Sequence, residues 1–365
     1  MLKVKRKLNI LMSGGGSGGH VFPAIAIADA IKKIHPESEF LFIGAEGKME
    51  MTAVPKAKYA IKALPIVGLQ RRLTAKNLLF PLKLIFSIIE AWFIVRKFRP
   101  DVAIGTGGYA SGAALKVAQW QGVPTFIQEQ NAFPGITNKL LANKVVKVFA
   151  AYPGLERYFP AGKIQLTGNP LRGSISLDGL DRKSAVEHFA LDSNRSVVFI
   201  TGGSLGAGAI NKAIANKIDQ LDKKGIQLIW QCGKIYEEEY GKFNSPNIKV
   251  LSFIDRMDLA YAAADIIVSR AGGTISELAI IGKPCILLPS PNVAEDHQTK
   301  NVMALVEKDA AILIKDNEAN EGLVPQCLAL LEDKAMQETI RKNIKLFAKP
   351  HAAMEIAETI LKTIQ

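Results

Sequence analysis

The sequence predicts an α/β protein of two domains, each a doubly wound parallel sheet. Three observations carry that expectation. Short apolar runs without polar alternation recur between helix-like stretches, as parallel strands covered on both faces require. A polar, turn-rich stretch from Leu166 to Ser196 breaks the series once, and a new strand, glycine turn and helix begin directly after it. The two halves also share a layout. "PDVAIGTGGYASGAALKVAQWQGVPTFI" parallels "ADIIVSRAGGTISELAIIGKPCILL" in an Asp, an apolar strand, a Gly-Gly pair, a Ser three residues on, and a G-x-P before the next strand.

The first half opens with Leu8 to Met12 as a strand, the turn "SGGGSGGHVFP" over Ser13 to Pro23, and a helix from Val21 onward. Gly14, Gly16 and Gly19 satisfy G-x-G-x-x-G, a spacing that lets a backbone approach phosphate but is weak alone. The strands "EFLFIG", "DVAIGTGG", "PTFIQEQN" and "KVFAAY" follow. In the second half come "SVVFITGG", with its own glycine turn and helix, then "QLIWQCG", "IKVLSFI", "DIIVSRAGG", "KPCILLPS" and "AAILIK". The expected domains are residues 1–166 and 167–347, with a helix over 348–365 packing back on the first. Two Rossmann-like domains facing across a cleft would hold a ligand where strand ends and helix N-termini converge.

Composition limits the function. With 365 residues, 48% hydrophobic and 22% charged, the chain has the make-up of a folded protein. Its three cysteines are far apart, which fits a reduced compartment and gives no metal-finger spacing. The basic N-terminus precedes an apolar stretch of only Leu8 to Met12, so no export signal is read. A net charge of +12 calls for anionic partners. Nucleic acid is set aside, because no RNA-binding motif or zinc finger is present and the basic residues are dispersed. The segment Asn77 to Pro100, "NLLFPLKLIFSIIEAWFIVRKFRP", is apolar, flanked by cations and interrupted by Pro81, Lys83 and Glu90. It reads either as an interfacial helix on anionic lipid or as a pair of core helices, not as a span.

The motifs "GGGSGGHVFPAIAIA", "GTGGYASG", "QEQNAFPGITNKLLA", "GNPLR", "GGSLGAGAIN" and "SRAGGTISELAIIGKP" with "EDHQTKNVMAL" occur in order from about Leu8 to about Met303. Together they resemble the peptidoglycan N-acetylglucosaminyltransferases of glycosyltransferase family 28. The resemblance implies a GT-B build and transfer, with inversion, of N-acetylglucosamine from UDP-N-acetylglucosamine to undecaprenyl-linked lipid I. It also implies an acceptor- and membrane-binding first domain, a donor-binding second domain, and peripheral attachment at the cytoplasmic face of the inner membrane. Two positions depart from the family pattern. Gln128 stands where His is common, so it is given no proton-transfer role, and Leu205 replaces a Gln, which removes a polar donor contact.

Such transfer needs a base for the attacking hydroxyl, stabilisation of the leaving diphosphate and a grip on the nucleoside sugar. No D-x-D occurs, so helix N-termini with Ser204 and Arg172 are expected to meet the diphosphate without a metal or other cofactor. His20 sits at a helix start, where the dipole favours a neutral imidazole. It is the candidate base, or else a ligand of the acceptor diphosphate, with Glu129 as the alternative base. The remaining histidines read as surface or structural. Glu277, one residue beyond "GGTIS", could accept both ribose hydroxyls or could simply stabilise its helix. Gly273, Thr274, Ile275 and Ser276 form the same donor-side helix start. Gln298 and Asn131 offer amides to the sugar, and the Ile254 backbone flanks uracil. Ser17, Gly18, Gly19, Gly107, Gly108 and Tyr109 are candidates for the lipid diphosphate, the first three being counted with the donor site as well.

Three rival functions share some of these features. A nicotinamide dehydrogenase fits the first glycine turn, but the acidic residue wanted about 20 positions on, at the second strand's end, is Glu46, which comes too late, and one cofactor does not explain two matched halves. A non-catalytic membrane scaffold explains the charge but not Glu277, Gln298 and the glycine turns. A UDP-sugar epimerase of the same build has no use for a membrane-facing patch.

Overall fold

The computed structural model describes residues 6–66, 80–171, 179–203, 205–293 and 296–364. The chain divides into two compact units, one formed by Met1–Arg172 with Lys349–Gln365 and the other by Gly173–Ala348.

The first unit is built on a seven-stranded sheet in the order β3-β2-β1-β4-β5-β6-β7, every neighbouring pair parallel. Its strands are β1 (Asn9–Gly14), β2 (Glu39–Ala45), β3 (Ala60–Leu64), β4 (Val102–Gly107), β5 (Thr125–Glu129), β6 (Lys147–Ala150) and β7 (Ile164–Leu166). The order reverses between β1 and β4, and loops that leave those two strands in opposite directions open a crevice at their carboxyl ends. The β1–β4 register slips by one residue at its end, so that Gly14 lies opposite Gly107 and the two glycine turns are neighbours.

Helices cover both faces. On one, Gly18–Ile34 buries Val21, Ile25, Ile27 and Ile31 against Ile10, Met12, Phe42 and Ile104, and Ala352–Thr363 completes the layer with Ile356, Ala357, Ile360 and Leu361. These last four fall on one helical stripe. On the other face Tyr109–Trp120 and Phe80–Phe98 pack against Leu11, Ile43, Ala103 and Ile127.

The second unit has a six-stranded parallel sheet in the order β10-β9-β8-β11-β12-β13, with its reversal between β8 and β11. The strands are β8 (Val197–Thr201), β9 (Gln227–Gln231), β10 (Ile248–Leu251), β11 (Ile266–Arg270), β12 (Cys285–Leu288) and β13 (Ile312–Leu313). Phe199, Tyr261 and Leu278 fill one side of the sheet and Trp230, Ile210 and Leu323 the other. The Trp230 indole donates to Asn211 Oδ1 at 2.9 Å, satisfying its one polar atom inside the core.

Some elements differ from the sequence reading. β3 and β7 are strands that no apolar run announces; both are sheet edges, with Lys62 and Gln165 facing partly outward. The first helix begins at Gly18 rather than Val21, because Ser17 O already accepts from His20 N and Val21 N, which draws two glycines into the first turn. From Phe80 the apolar segment is one helix, not a pair, its Pro81 tolerated in the first turn; residues 77–79 lie outside the described ones. Ala91 and Val95 face the core, while Leu82, Ile85, Phe86 and Phe93 stand on the outside, Phe86 63% and Phe93 67% exposed. Among the described residues no helix is long and apolar enough to cross a membrane.

Candidate active site

In the first unit the site gathers at the β1 and β4 ends. Gly16 takes φ +86°, Gly107 +107° and Gly108 +92°, conformations that side chains resist. Close approach adds to this: a Cβ on Gly108 would lie 2.4 Å from Gly15 O, and Gly15 N donates to Gly107 O at 3.2 Å. The two turns therefore pack backbone on backbone.

His20 occupies the third position of its helix, beside both turns. Its Nδ1 lies 3.1 Å from Gly15 O and 3.2 Å from Ser17 Oγ. A carbonyl oxygen only accepts, so the bond to Gly15 places the proton on Nδ1, and in the neutral ring Nε2 carries the lone pair. The ring edge bearing Nε2 lies where a Gly107 Cβ would be, 2.8 Å away. Thr106 Oγ1 donates to His20 O at 2.7 Å, fixing the helix start to β4. Tyr109 opens the next helix and is exposed. Gly19 has no neighbour that crowds it, whereas a side chain on Gly18 would meet Phe22.

Glu129 is placed differently from a base. Its carboxylate is buried at the end of β5 and accepts from Asn131 N at 3.1 Å, Asn131 Nδ2 at 3.3 Å, Gly135 N at 3.1 Å and Asn138 Nδ2 at 2.8 Å. Burial pushes the carboxyl group up, against those four bonds, which pull it down. Both oxygens are engaged within their own loop. Glu129 organises residues 129–138, and Asn131 donates its amide to that loop. Gln128 belongs to the same interior, donating to Asn169 Oδ1 at 3.1 Å and accepting from Gln130.

Glu50 is a residue the sequence did not single out. It is wholly buried and accepts from Gly16 N and Ala45 N, each at 2.9 Å. One amide of the first glycine turn is thus already occupied by the protein's own carboxylate. The amides of Ser17, Gly18 and Gly19 open the helix and are the ones placed to meet an anion.

In the second unit the residues gather at the β8, β10 and β11 ends. Gly203 (φ +81°) and Gly206 (φ +75°) turn the chain into the Gly208–Asn216 helix. Ser204 and Arg172 lie outside the described residues. At β11 the Gly-Gly pair works by other means than its counterpart: Gly273 caps the Thr274–Ile281 helix at φ −56°, and a Cβ there would meet nothing within 4 Å. These glycines keep space open at a helix N-terminus. Thr274, Ile275 and Ser276 form the first turn; Ile275 is buried, and Glu277 follows, half-buried. Tyr261 Oη donates to Glu277 Oε2 at 2.6 Å. The Ile254 side chain is buried in the core, so only its backbone can face a ligand. Gln298 accepts from Ser290 N at 2.7 Å through Oε1, while its Nε2 lies beside Gly272. Arg270, also not singled out, binds Asp316 and donates to Leu288 O and Pro289 O, tying three loops at this edge.

Each unit thus carries a helix N-terminus beside a glycine turn at its topological switch point, and these are the segments that known families match. The glycosyltransferase family 28 N-terminal domain matches residues 10–150, and the family's C-terminal domain matches residues 197–356. The chain belongs to glycosyltransferase family 28. A relative from Flavobacterium psychrophilum, named "UDP-N-acetylglucosamine--N-acetylmuramyl-(pentapeptide) pyrophosphoryl-undecaprenol N-acetylglucosamine transferase", is 53% identical over 97% of both chains. The crystal structure of Acinetobacter baumannii MurG is similar at TM-score 0.73 and 27% identity, over 98% of this chain and 100% of that one. A UDP-GlcNAc 2-epimerase from Neisseria meningitidis, bound to UDP-GlcNAc, has TM-score 0.70 at 16% identity, over 98% and 100% of the two chains. That likeness is one of fold alone. The family 28 chain and the epimerase share an architecture, and side chains must separate their chemistry.

Proposed function

We propose that this family 28 chain moves N-acetylglucosamine from UDP-N-acetylglucosamine to the 4-hydroxyl of the muramoyl sugar of undecaprenyl-diphospho-N-acetylmuramoyl-pentapeptide. The observation that carries the reading is the match, over 97% of both chains, to a relative whose name describes that transfer. The first unit takes the acceptor and the second takes the donor.

His20 Nε2 accepts the proton of the 4-hydroxyl while Nδ1 stays bonded to Gly15 O, which holds the ring and supports the imidazolium that forms. The oxygen then forms its bond to the anomeric carbon from the face opposite the diphosphate. The bond from that carbon to the diphosphate oxygen breaks, and UDP leaves with the electron pair. The N-termini of Gly208–Asn216 and Thr274–Ile281 face the diphosphate charge, with Ser204 and Arg172 as side-chain donors. Glu277 accepts the ribose hydroxyls, the Ile254 backbone meets uracil, and Gln298 Nε2 reaches the sugar. Ser17, Gly18, Gly19, Gly107, Gly108 and Tyr109 hold the lipid diphosphate.

The outer face of Phe80–Phe98, with Lys83, Arg96 and Lys97 on the same helix, attaches the first unit to the anionic cytoplasmic face of the membrane. The test incubates the protein with radiolabelled UDP-N-acetylglucosamine and a lipid I analogue. Label in the lipid fraction is the expected result. Label that stays in nucleotide sugar, inverted at carbon 2, would transfer the chain to the epimerases.

A further inference from the structure

We infer that Tyr261 is a positioning residue for the nucleotide sugar, its hydroxyl holding Glu277 in the orientation that receives the ribose. The inference rests on the donor reading of Glu277 given above and extends it to a residue with no access to the ligand.

The hydroxyl donates to Glu277 Oε2 at 2.6 Å, the short range of a bond to an ionised acceptor. The tyrosine itself does not move easily. Its ring is fully buried and meets Phe199 edge-on, with centroids 5.5 Å apart and planes at 73°. Core packing thus fixes the hydroxyl oxygen, and its hydrogen bond restrains the half-buried Glu277 carboxylate. Freezing the glutamate before the ligand arrives removes an ordering cost from binding.

The position of Tyr261 in the chain adds a second role. It stands on the helix Met257–Ala263, which begins three residues after Ile254. One short rigid element thereby connects the backbone assigned to uracil with the carboxylate assigned to ribose. A shift of the Ile254 loop would be felt at Glu277 through Tyr261.

The experiment compares the wild type, Tyr261→Phe, Glu277→Ala and the double variant in the transfer assay, with KM for UDP-N-acetylglucosamine, kcat and Tm read for each. Tyr261→Phe should raise donor KM about threefold to tenfold and leave kcat within about twofold. The double variant should be no worse than Glu277→Ala alone, since the hydroxyl acts only through the carboxylate. If Glu277→Ala leaves donor KM unchanged, the ribose reading fails and this inference with it. If Glu277→Ala raises KM while Tyr261→Phe lowers only Tm, or if the two effects add fully, the inference alone is overturned. A further measurement leaves Tyr261 in place. UDP added to the wild type should give a tyrosine band in the near-ultraviolet difference spectrum, and Glu277→Gln should abolish it. Equal bands in both proteins would overturn the inference even if Tyr261→Phe did not fold.

Discussion

Replacing Gly107 by Ala tests the placement of His20 without touching it. The added Cβ would lie 2.7 Å from His20 Cδ2 and 2.8 Å from Nε2, where ordinary contact begins at 3.4 Å. The imidazole must therefore retreat by about 0.7 Å, since β4 and its register with β1 hold the backbone on the other side. A misplacement near 1 Å at a reacting group costs about a hundredfold, so kcat should fall about tenfold to a hundredfold. Donor KM should hardly change, because Glu277, Gln298 and the Ile254 backbone, which are assigned to the nucleotide sugar, belong to the other unit. The φ of +107° adds a separate cost of about 1 to 3 kcal/mol, read as a lower Tm. Gly122→Ala supplies the control, being a left-handed glycine at φ +77° with open space around it, and should lower Tm with kcat intact. The assay is steady-state transfer to a lipid I analogue with both substrates varied. A folded Gly107→Ala protein with kcat within about twofold of the wild type would refute the assignment of His20 to the reacting hydroxyl.

His20→Ala should lower kcat about 10²- to 10⁴-fold with donor KM nearly constant. Unchanged kcat with a raised acceptor KM would give the ring a diphosphate-binding role instead. Glu129→Gln should destabilise the fold by about 1 to 3 kcal/mol, read as a lower Tm, through the mismatched amide among its donors Asn131, Gly135 and Asn138; a large fall in kcat at constant Tm would make it the base after all. Changing Phe86, Trp92 and Phe93 together to Ser should weaken sedimentation with anionic vesicles and leave transfer to a short-chain soluble acceptor intact; equal vesicle binding by the folded variant would move the membrane contact elsewhere. EDTA should leave most of the activity, and a complete loss restored by magnesium would sink the helix N-terminus account of diphosphate binding.

The sheets were legible because buried parallel strands are written as unbroken apolar runs, and each of the eleven runs read from the sequence contains a strand. β3 and β7 escaped because "AIKAL" and "IQL" are short and each is interrupted by a polar residue, Lys62 and Gln165. The glycine pairs were legible as places and misleading as physics. Gly107-Gly108 and Gly272-Gly273 look alike in sequence, yet the first pair needs left-handed backbone and the second only empty space. The residues that hold the site in shape left no local trace. Glu50 reaches across 34 residues to Gly16, and Tyr261 reads as one more apolar position in "DLAYAAAD" until its hydroxyl is seen on Glu277. Glu129 suggests a base because it is an acidic residue beside an expected site, and only its four hydrogen bonds, from Asn131, Gly135 and Asn138, show both oxygens engaged.

The return of the Ala352–Thr363 helix to the first unit has a consequence for biogenesis. Val21–Ile31 presents an apolar face that the last helix covers, but that helix leaves the ribosome after the whole second unit has been made. At about 5 to 20 residues per second the delay is about 10 to 40 s, long enough for the second unit to fold in between. Throughout that interval the nascent first unit lacks the cover that Ile356, Ala357, Ile360 and Leu361 supply. A ribosome stalled before Ala352 therefore holds a polypeptide with one finished sheet layer and one sticky one, and early termination there should yield aggregates rather than a truncated but native first unit.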